Sequence, residues 1–330
     1  MKIARWNHPG GQRAGFIAEQ QVFPLPVGMD VADLLTLGLP GTLDLGKSLT
    51  RPGAESTALT EVTLLPPLVP ATLRDFVAFE EHVEGVVRSI NGTGAIVPEW
   101  YQAPTFYFTN PHTVRASGEQ VPIPAGSSQL DFELEVAAII GAVPGSDGSN
   151  LTAATAHEHI FGYTILNDWS ARDLQRREMK VSLGPCKGKD FANTLGPWIV
   201  TADEFTDRHD AEGFLPLTMT AEVNGAVLGE DRLSNMGWPF AELVAYASRN
   251  SKVVPGDVLG SGTCGSGCLA ELWGRNGGLD PAPLGPGDVV RLSVEGIGSI
   301  VNTVGCPTVS APVPSARVRP GTGRWSPVRG

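Results

Sequence analysis

Residues 130–141, LDFELEVAAIIG, restrict the possible folds more than any other stretch of the chain. Asp131, Glu133 and Glu135 recur at every second position and run directly into the apolar segment 136–140. In a β-strand, period-two alternation sets these carboxylates on one face and Phe132, Leu134 and Val136 on the other. The apolar segment reads as a strand buried on both faces. Acids aligned beside a core repel one another and lose hydration, so something must compensate them. Two readings stand: a half-solvated strand face paired to Arg or Lys, or a site for a hard cation. Mg²⁺, Mn²⁺ and Ca²⁺ all prefer carboxylate oxygens.

A chain of 330 residues has room for one large domain, or for a catalytic domain with a small appendage. Its 40 glycines and 27 prolines favour many turns and a β-rich architecture. The net charge is −11, with no Lys/Arg cluster in the part expected to fold, which argues against a nucleic-acid partner. MKIARWNHPGG at the start lacks the apolar centre of a signal peptide, and no window reaches the roughly 18 apolar residues of a membrane span. A cytoplasmic protein without a membrane partner is therefore expected. Cys264 and Cys268 form a C-x3-C pair with no second Cys or His pair at zinc spacing, so Cys186, Cys264, Cys268 and Cys306 are expected to be reduced thiols.

Along the chain, residues 1–68 read as a small α+β cap domain. KIARWN and RAGFIAEQQVFPL alternate as strands, and DVADLLTLG forms a short helix from Asp30 to Gly38. The Pro-rich segment 64–72 marks a boundary, and residues 69–306 form the main domain. Phe76, Phe79, Val83, Val86 and Val87 have helical spacing, which predicts a helix from about Asp75. Residues 307–330, rich in Pro, Ser and Arg and without periodicity, are expected to be a flexible tail with no catalytic role.

Other segments carry candidate chemistry. In FGYTILNDWSARDLQRREM, Asp168 ends an apolar strand, as either a ligand or an ordinary helix N-cap. Arg172 and Gln175 follow at i and i+3 on one helix face. LGPCKGKDF places Lys187 and Lys189 around Gly188, which reads as a solvated turn or as a close backbone approach to a ligand. GSGTCGSGCLAELWG contains G-x-G-x-x-G, but its continuation reads as a strand and no βαβ unit surrounds it, so a dinucleotide fingerprint is rejected. Glu271 stands out there as a carboxylate in an apolar strand that needs a partner. Among the histidines, His82 lies seven residues after Asp75, on roughly the same face of the expected helix.

Taken together and in order, LDFELEVAAIIG, FGYTILNDWSARDLQ, LGPCKGKDF and GSGTCGSGCLAELWG resemble the fumarylacetoacetate hydrolase family, from about residue 73 to residue 305. The resemblance implies an α+β, β-rich fold, a mixed β-sandwich roll that is usually a homodimer with one divalent cation per active site. It implies Glu133, Glu135 and Asp168 as metal ligands, with Asp75 as a fourth, while Asp131 is not a ligand. It implies His82 as the general base, Glu271 as the group orienting it, and Arg172, Gln175 and Lys189 as donors to substrate and developing oxyanion. Tyr107 and Thr263 are candidate substrate contacts. Val77 and Met179 stand where the family hydrolase has tyrosines that hold the substrate's distal carboxylate, so fumarylacetoacetate itself is not the expected substrate.

The expected activity is a Mg²⁺- or Mn²⁺-dependent hydrolase (Ca²⁺ being a further option) of catabolic type. It would cleave a C–C bond in a β-diketone or acylpyruvate-like oxo acid, the small-molecule partner. The alternative is a 2-oxo acid decarboxylase, isomerase or hydratase using the same metal chemistry.

Overall fold

A computed structural model describes residues 1–91 and 94–317. The chain opens on a meander, β1 (Lys2–His8), β2 (Gly11–Ala18) and β3 (Gln21–Pro24). Helix α1 (Val31–Leu49) and the short strands β4 (Thr57–Ala58) and β5 (Thr63–Leu65) follow. Next come β6 (Thr72–Phe76), α2 (Glu80–Asn91) and β7 (Phe106–Thr109), then β8 (Val114–Arg115), β9 (Gln120–Pro122) and β10 (Leu130–Asp131). A central antiparallel pair, β11 (Leu134–Ile140) and β12 (Ile160–Asp168), encloses α3 (Ala153–Ala156) in its connection. The remaining elements are β13 (Ser170–Ala171), α4 (Arg172–Met179), β14 (Asn193–Thr201), β15 (Thr218–Val223), β16 (Ala226–Arg232) and α5 (Phe240–Ser248). The chain then forms β17 (Asp257–Gly260), α6 (Leu269–Asn276), β18 (Val289–Val294) and β19 (Gly298–Gly305).

The large mixed sheet runs β4-β3-β2-β1-β14-β12-β11-β17-β6-β7, and a second sheet runs β16-β15-β18-β19-β9. This is the β-rich α+β fold, two sheets around a shared core, that the resemblance implies. The N-terminal meander continues the large sheet through the pairing of Lys2 with Val200 and Ile3 with Ile199. Every residue of β11 and β12 is buried. Val136, Ala138 and Ile140 pack into the core between the sheets, and Ala137 and Ile139 into a second core against α1. Burying a valine or isoleucine side chain stabilises the fold by about 1.5–3 kcal/mol, so these strands are a rigid base for the acids at their ends.

Local readings are corrected at several points. The helix expected from about residue 75 begins at Glu80, and Asp75 lies in β6. There it is held by main-chain pairing with parallel β17 on one side and antiparallel β7 on the other. Glu80 and Glu81 then occupy the first turn of α2, where acids suit the positive end of the helix dipole. Asp75 and His82 therefore converge from a strand and a helix and do not share a helix face. Glu271, expected in a strand, lies in α6, with Leu269, Ala270 and Trp273 buried beside it at helical spacing. The helix expected to end at Gly38 breaks there, at φ 77°, and resumes to Leu49. A Cβ on Gly38 would come within 2.6 Å of the Ala142 carbonyl oxygen.

All four cysteines are free thiols, Cys264 and Cys268 buried, Cys186 and Cys306 exposed. No helix among the described residues is long and apolar enough to cross a membrane. Residues 307–317 have no regular structure and are exposed, with Thr308 N–H donating to the Ile123 carbonyl at 2.8 Å. The rest of the expected tail, 318–330, lies outside the described residues.

Candidate active site

Four carboxylates converge where the central strands end. Asp75 comes from β6, Glu135 from the start of β11, Asp168 from the end of β12, and Glu133 from the link between β10 and β11. One oxygen from each lies within 4.8 Å of the others, and all four side chains are buried. Gly260, paired with Asp75 across the β6–β17 ladder, forms the floor beneath them. A Cβ at Gly260 would lie 2.6 Å from Asp75 Oδ1 and 2.8 Å from Glu135 Oε2, so only glycine leaves this space open.

The donors around the cluster are few. Lys189 Nζ donates to Asp168 Oδ2 at 2.6 Å and to Glu133 Oε2, and Arg172 Nη2 lies 2.7 Å from Glu133 Oε1. Tyr107 donates its hydroxyl to Asp168 Oδ2 at 2.5 Å, and Thr263 donates to Glu135 Oε1 at 3.3 Å. Among the described residues, Asp75 Oδ1, Glu135 Oε2 and Asp168 Oδ1 are buried without a hydrogen-bond partner. Leaving such groups unsatisfied costs about 1–3 kcal/mol each, more when charged.

The titration tendencies follow from this shortage. Burial, then Asp168, pushes Asp75 well above the ordinary carboxylate range, and burial, then Asp75, does the same to Glu135. Burial also raises Asp168, against the opposing pull of Lys189. Glu133 goes the other way: burial would raise it, but Arg172, Lys189 and His82 together hold it low. Burial would lower the Lys189 ammonium, yet Asp168 and Glu133 raise it, so it stays charged. A hard divalent cation answers this arrangement, because orphaned carboxylate oxygens in an open cradle are what such an ion takes as ligands. The residues present therefore fit the cation.

Asp131 differs. Its carboxylate accepts from the backbone N–H groups of Phe132, Leu269 and Ala270 and from Arg172 Nε, all at 2.8–3.0 Å. Burial raises its pKa while Arg172 and the Leu269 N–H oppose the shift. With donors alone around it, the carboxylate caps the N-terminus of α6 and anchors Arg172.

Beside the cluster, His82 Nδ1 lies 2.8 Å from Glu271 Oε1, while Nε2 faces Glu133 Oε1 at 3.8 Å. The Glu271 carboxylate also accepts from Ser266 N–H at 2.8 Å and Arg275 at 3.3 Å. This arrangement directs Nδ1–H to Glu271 and leaves the Nε2 lone pair toward the carboxylates. Asp75, His82, Tyr107, Glu133, Arg172, Gln175, Lys189 and Thr263 line one cavity of about 370 Å³, with Glu135, Asp168 and Glu271 behind its wall. Arg172 is occupied by Asp131, Glu133 and the side-chain amide oxygen Oε1 of Gln175, so it props the floor and presents Gln175. A second cavity, about 460 Å³ and largely apolar, shares no lining residue with this one and is set apart from the carboxylates.

The sequence profile described as fumarylacetoacetate hydrolase, C-terminal, matches residues 71–305. The chain belongs to the fumarylacetoacetate hydrolase family. A fumarylacetoacetase of Arabidopsis thaliana is 30% identical over 259 residues, covering 65% of this chain and 61% of the relative. The chain thus spans about three fifths of the plant fumarylacetoacetases' length, 61% and 60%. The oxaloacetate tautomerase YisK of Bacillus subtilis (strain 168) is 28% identical over 255 residues, covering 77% of this chain and 76% of that one. Among solved structures, fumarylacetoacetate hydrolase from psychrophilic Exiguobacterium antarcticum aligns with a TM-score of 0.67 at 26% identity, covering 93% of this chain and 99% of the other. Within the family region, Asp75, Glu133, Glu135 and Asp168 converge beside one cavity.

Three features of the site were not found in the sequence. Cys268 Sγ lies 3.8 Å from His82 Nδ1 and 3.7 Å from Glu271 Oε1, with its thiol pushed well up by burial and then by Asp131. Gly260 is the first glycine of the G-x-G-x-x-G segment, which by itself gives no sign of the space it keeps open beside Asp75 and Glu135. Gly85 lets α2 approach α6, since a Cβ there would meet Glu271 Cγ at 2.8 Å. A glycine three residues after His82 inside a helix was the available signal, because i and i+3 share a face.

Proposed function

We propose that the protein is a hydrolase that cleaves the C–C bond of a 2,4-dioxo acid or related β-diketone, using Mg²⁺ or Mn²⁺ held by Glu133, Glu135, Asp168 and Asp75. The observation that carries this reading is the His82–Glu271 pair, whose free Nε2 opens beside the carboxylate cluster. A tethered, buried imidazole next to a cation site suits activation of water, which enolisation alone does not require.

A cation in this site supplies Lewis-acid polarisation of substrate carbonyl oxygen. His82 Nε2 takes a proton from water as its oxygen bonds to the acyl carbonyl carbon, and Glu271 holds the resulting imidazolium. Lys189 has a third N–H beyond its two carboxylate partners, and with the Gln175 amide it can meet the developing oxyanion. The bond between the acyl carbon and the adjacent methylene carbon then breaks. Its electron pair stays on the methylene carbon, which takes back a proton from His82. The products are a carboxylic acid and a 2-oxo acid. Tyr107 is kept protonated, by burial first and then Asp168, and fixes the Asp168 rotamer.

A tautomerase reading has its own support, since similarity to the oxaloacetate tautomerase covers 76% of that relative. Substituting His82 separates the two. Release of the 2-oxo acid from 2,4-dioxo acids by Mn²⁺-loaded His82→Ala should fall by about 10²–10⁴-fold. Hydrolysis unchanged in that variant sinks the mechanism. Oxaloacetate tautomerisation without any hydrolysis by the unaltered protein favours the second reading.

A further inference from the structure

We infer that the site selects substrates whose acyl group is apolar and discriminates against a carboxylate at that end; this rests on the hydrolase reading above. The cavity is polarised from floor to mouth. Its buried end carries the carboxylates with Lys189 and Arg172, which are 3% and 4% exposed. Among the described residues lining it, these two are the Lys and Arg side chains, and both are engaged with Glu133, Asp131 or Asp168.

Toward the mouth the lining is mostly apolar, with the exposed Thr105 as a polar member. Val83, Val86 and Val87 form one stripe of α2, at i, i+3 and i+4, with Val77 and Phe106 beside them, all half-buried. Met179, 52% exposed, stands at the rim. Helix α4 runs from Arg172 at the floor to Met179 at the mouth, a rise of about 10 Å at 1.5 Å per residue. A substrate with its oxo-acid head on the floor therefore lays its acyl group along valines, a phenylalanine and a methionine. An alkyl chain gains there about fourfold in affinity per methylene removed from water. A carboxylate at the same place would be partly desolvated, with no Lys or Arg free to receive it among the described residues lining the cavity.

Binding tests this without requiring turnover. Calorimetry on the Mn²⁺-loaded protein compares 2-oxooctanoate with 2-oxooctanedioate, which share a head and differ only at the tail. The monoacid is expected to bind at least about tenfold more tightly, a difference of about 1.4 kcal/mol. Shortening it to 2-oxobutanoate should weaken binding about fourfold per methylene. Equal or tighter binding of the diacid overturns the inference, as does indifference to chain length or failure of both to bind. Met179→Arg, at an exposed position, should raise diacid affinity and narrow or reverse the preference; an unmoved preference also overturns it. Release of pyruvate from hexanoylpyruvate is followed separately. Its absence beside an intact binding preference would sink the hydrolase reading and leave the apolar selection standing.

Discussion

Asp131 and Glu135 belong to one alternating run, and each is 0% exposed, yet their surroundings are opposite. Around Asp131 the chain assembles three backbone N–H groups and a guanidinium. Around Glu135, among the described residues, it offers one threonine hydroxyl and leaves Oε2 with no donor, above a glycine that keeps the space open. Burial alone does not distinguish a structural acid from a ligand. Between these two acids the supply of donors does: the first is completed by the fold, and the second is the one we propose as a cation ligand.

This contrast can be broken from either side. The largest effect is expected at the satisfied acid. Asp131→Ala leaves Arg172 partly uncompensated and uncaps α6, and should cost about 3–5 kcal/mol of stability, read as a lower melting temperature both in EDTA and in Mn²⁺. Full stability of this variant, with Mn²⁺ binding lost, would exchange the roles assigned to the two acids. A smaller effect is expected at the edge of the cluster. Tyr107→Phe removes the hydroxyl that orients Asp168 and should weaken Mn²⁺ binding about tenfold, with folding little changed. Unaltered affinity would make Tyr107 a packing residue.

The sequence made much of this visible through short-range patterns. Alternating acids, the doubly buried strand and Asp168 at a strand end all depend on neighbours in the chain. The residues alone leave two readings of each acid open, and the resemblance of the ordered motifs to the family implies a role for each. What stayed hidden depends on distant partners. The sequence of α6 suggests a strand because its cap is not local: Cys268 makes no side-chain cap, and Asp131, 138 residues before Leu269, accepts from the Leu269 N–H. The sequence around Asp75 suggests a helix because the parallel partner holding it extended, β17, comes much later in the chain. In Phe79, Val83, Val86 and Val87 the helical period was real, but extending it back to Phe76 crossed a strand end. Gly260 gave no local sign that its missing Cβ matters to Asp75 and Glu135.

The most direct test of the central claim is a calorimetric titration of Mn²⁺ into the unaltered protein and into Glu135→Gln, with melting of both in EDTA. One site per chain is expected in the unaltered protein, and loss of that site in the variant. Without metal, the variant should melt at the same temperature or higher, because a buried acid lacking compensation has been made neutral. Mn²⁺ binding undiminished in Glu135→Gln would contradict the assignment of the unsatisfied acids to a cation.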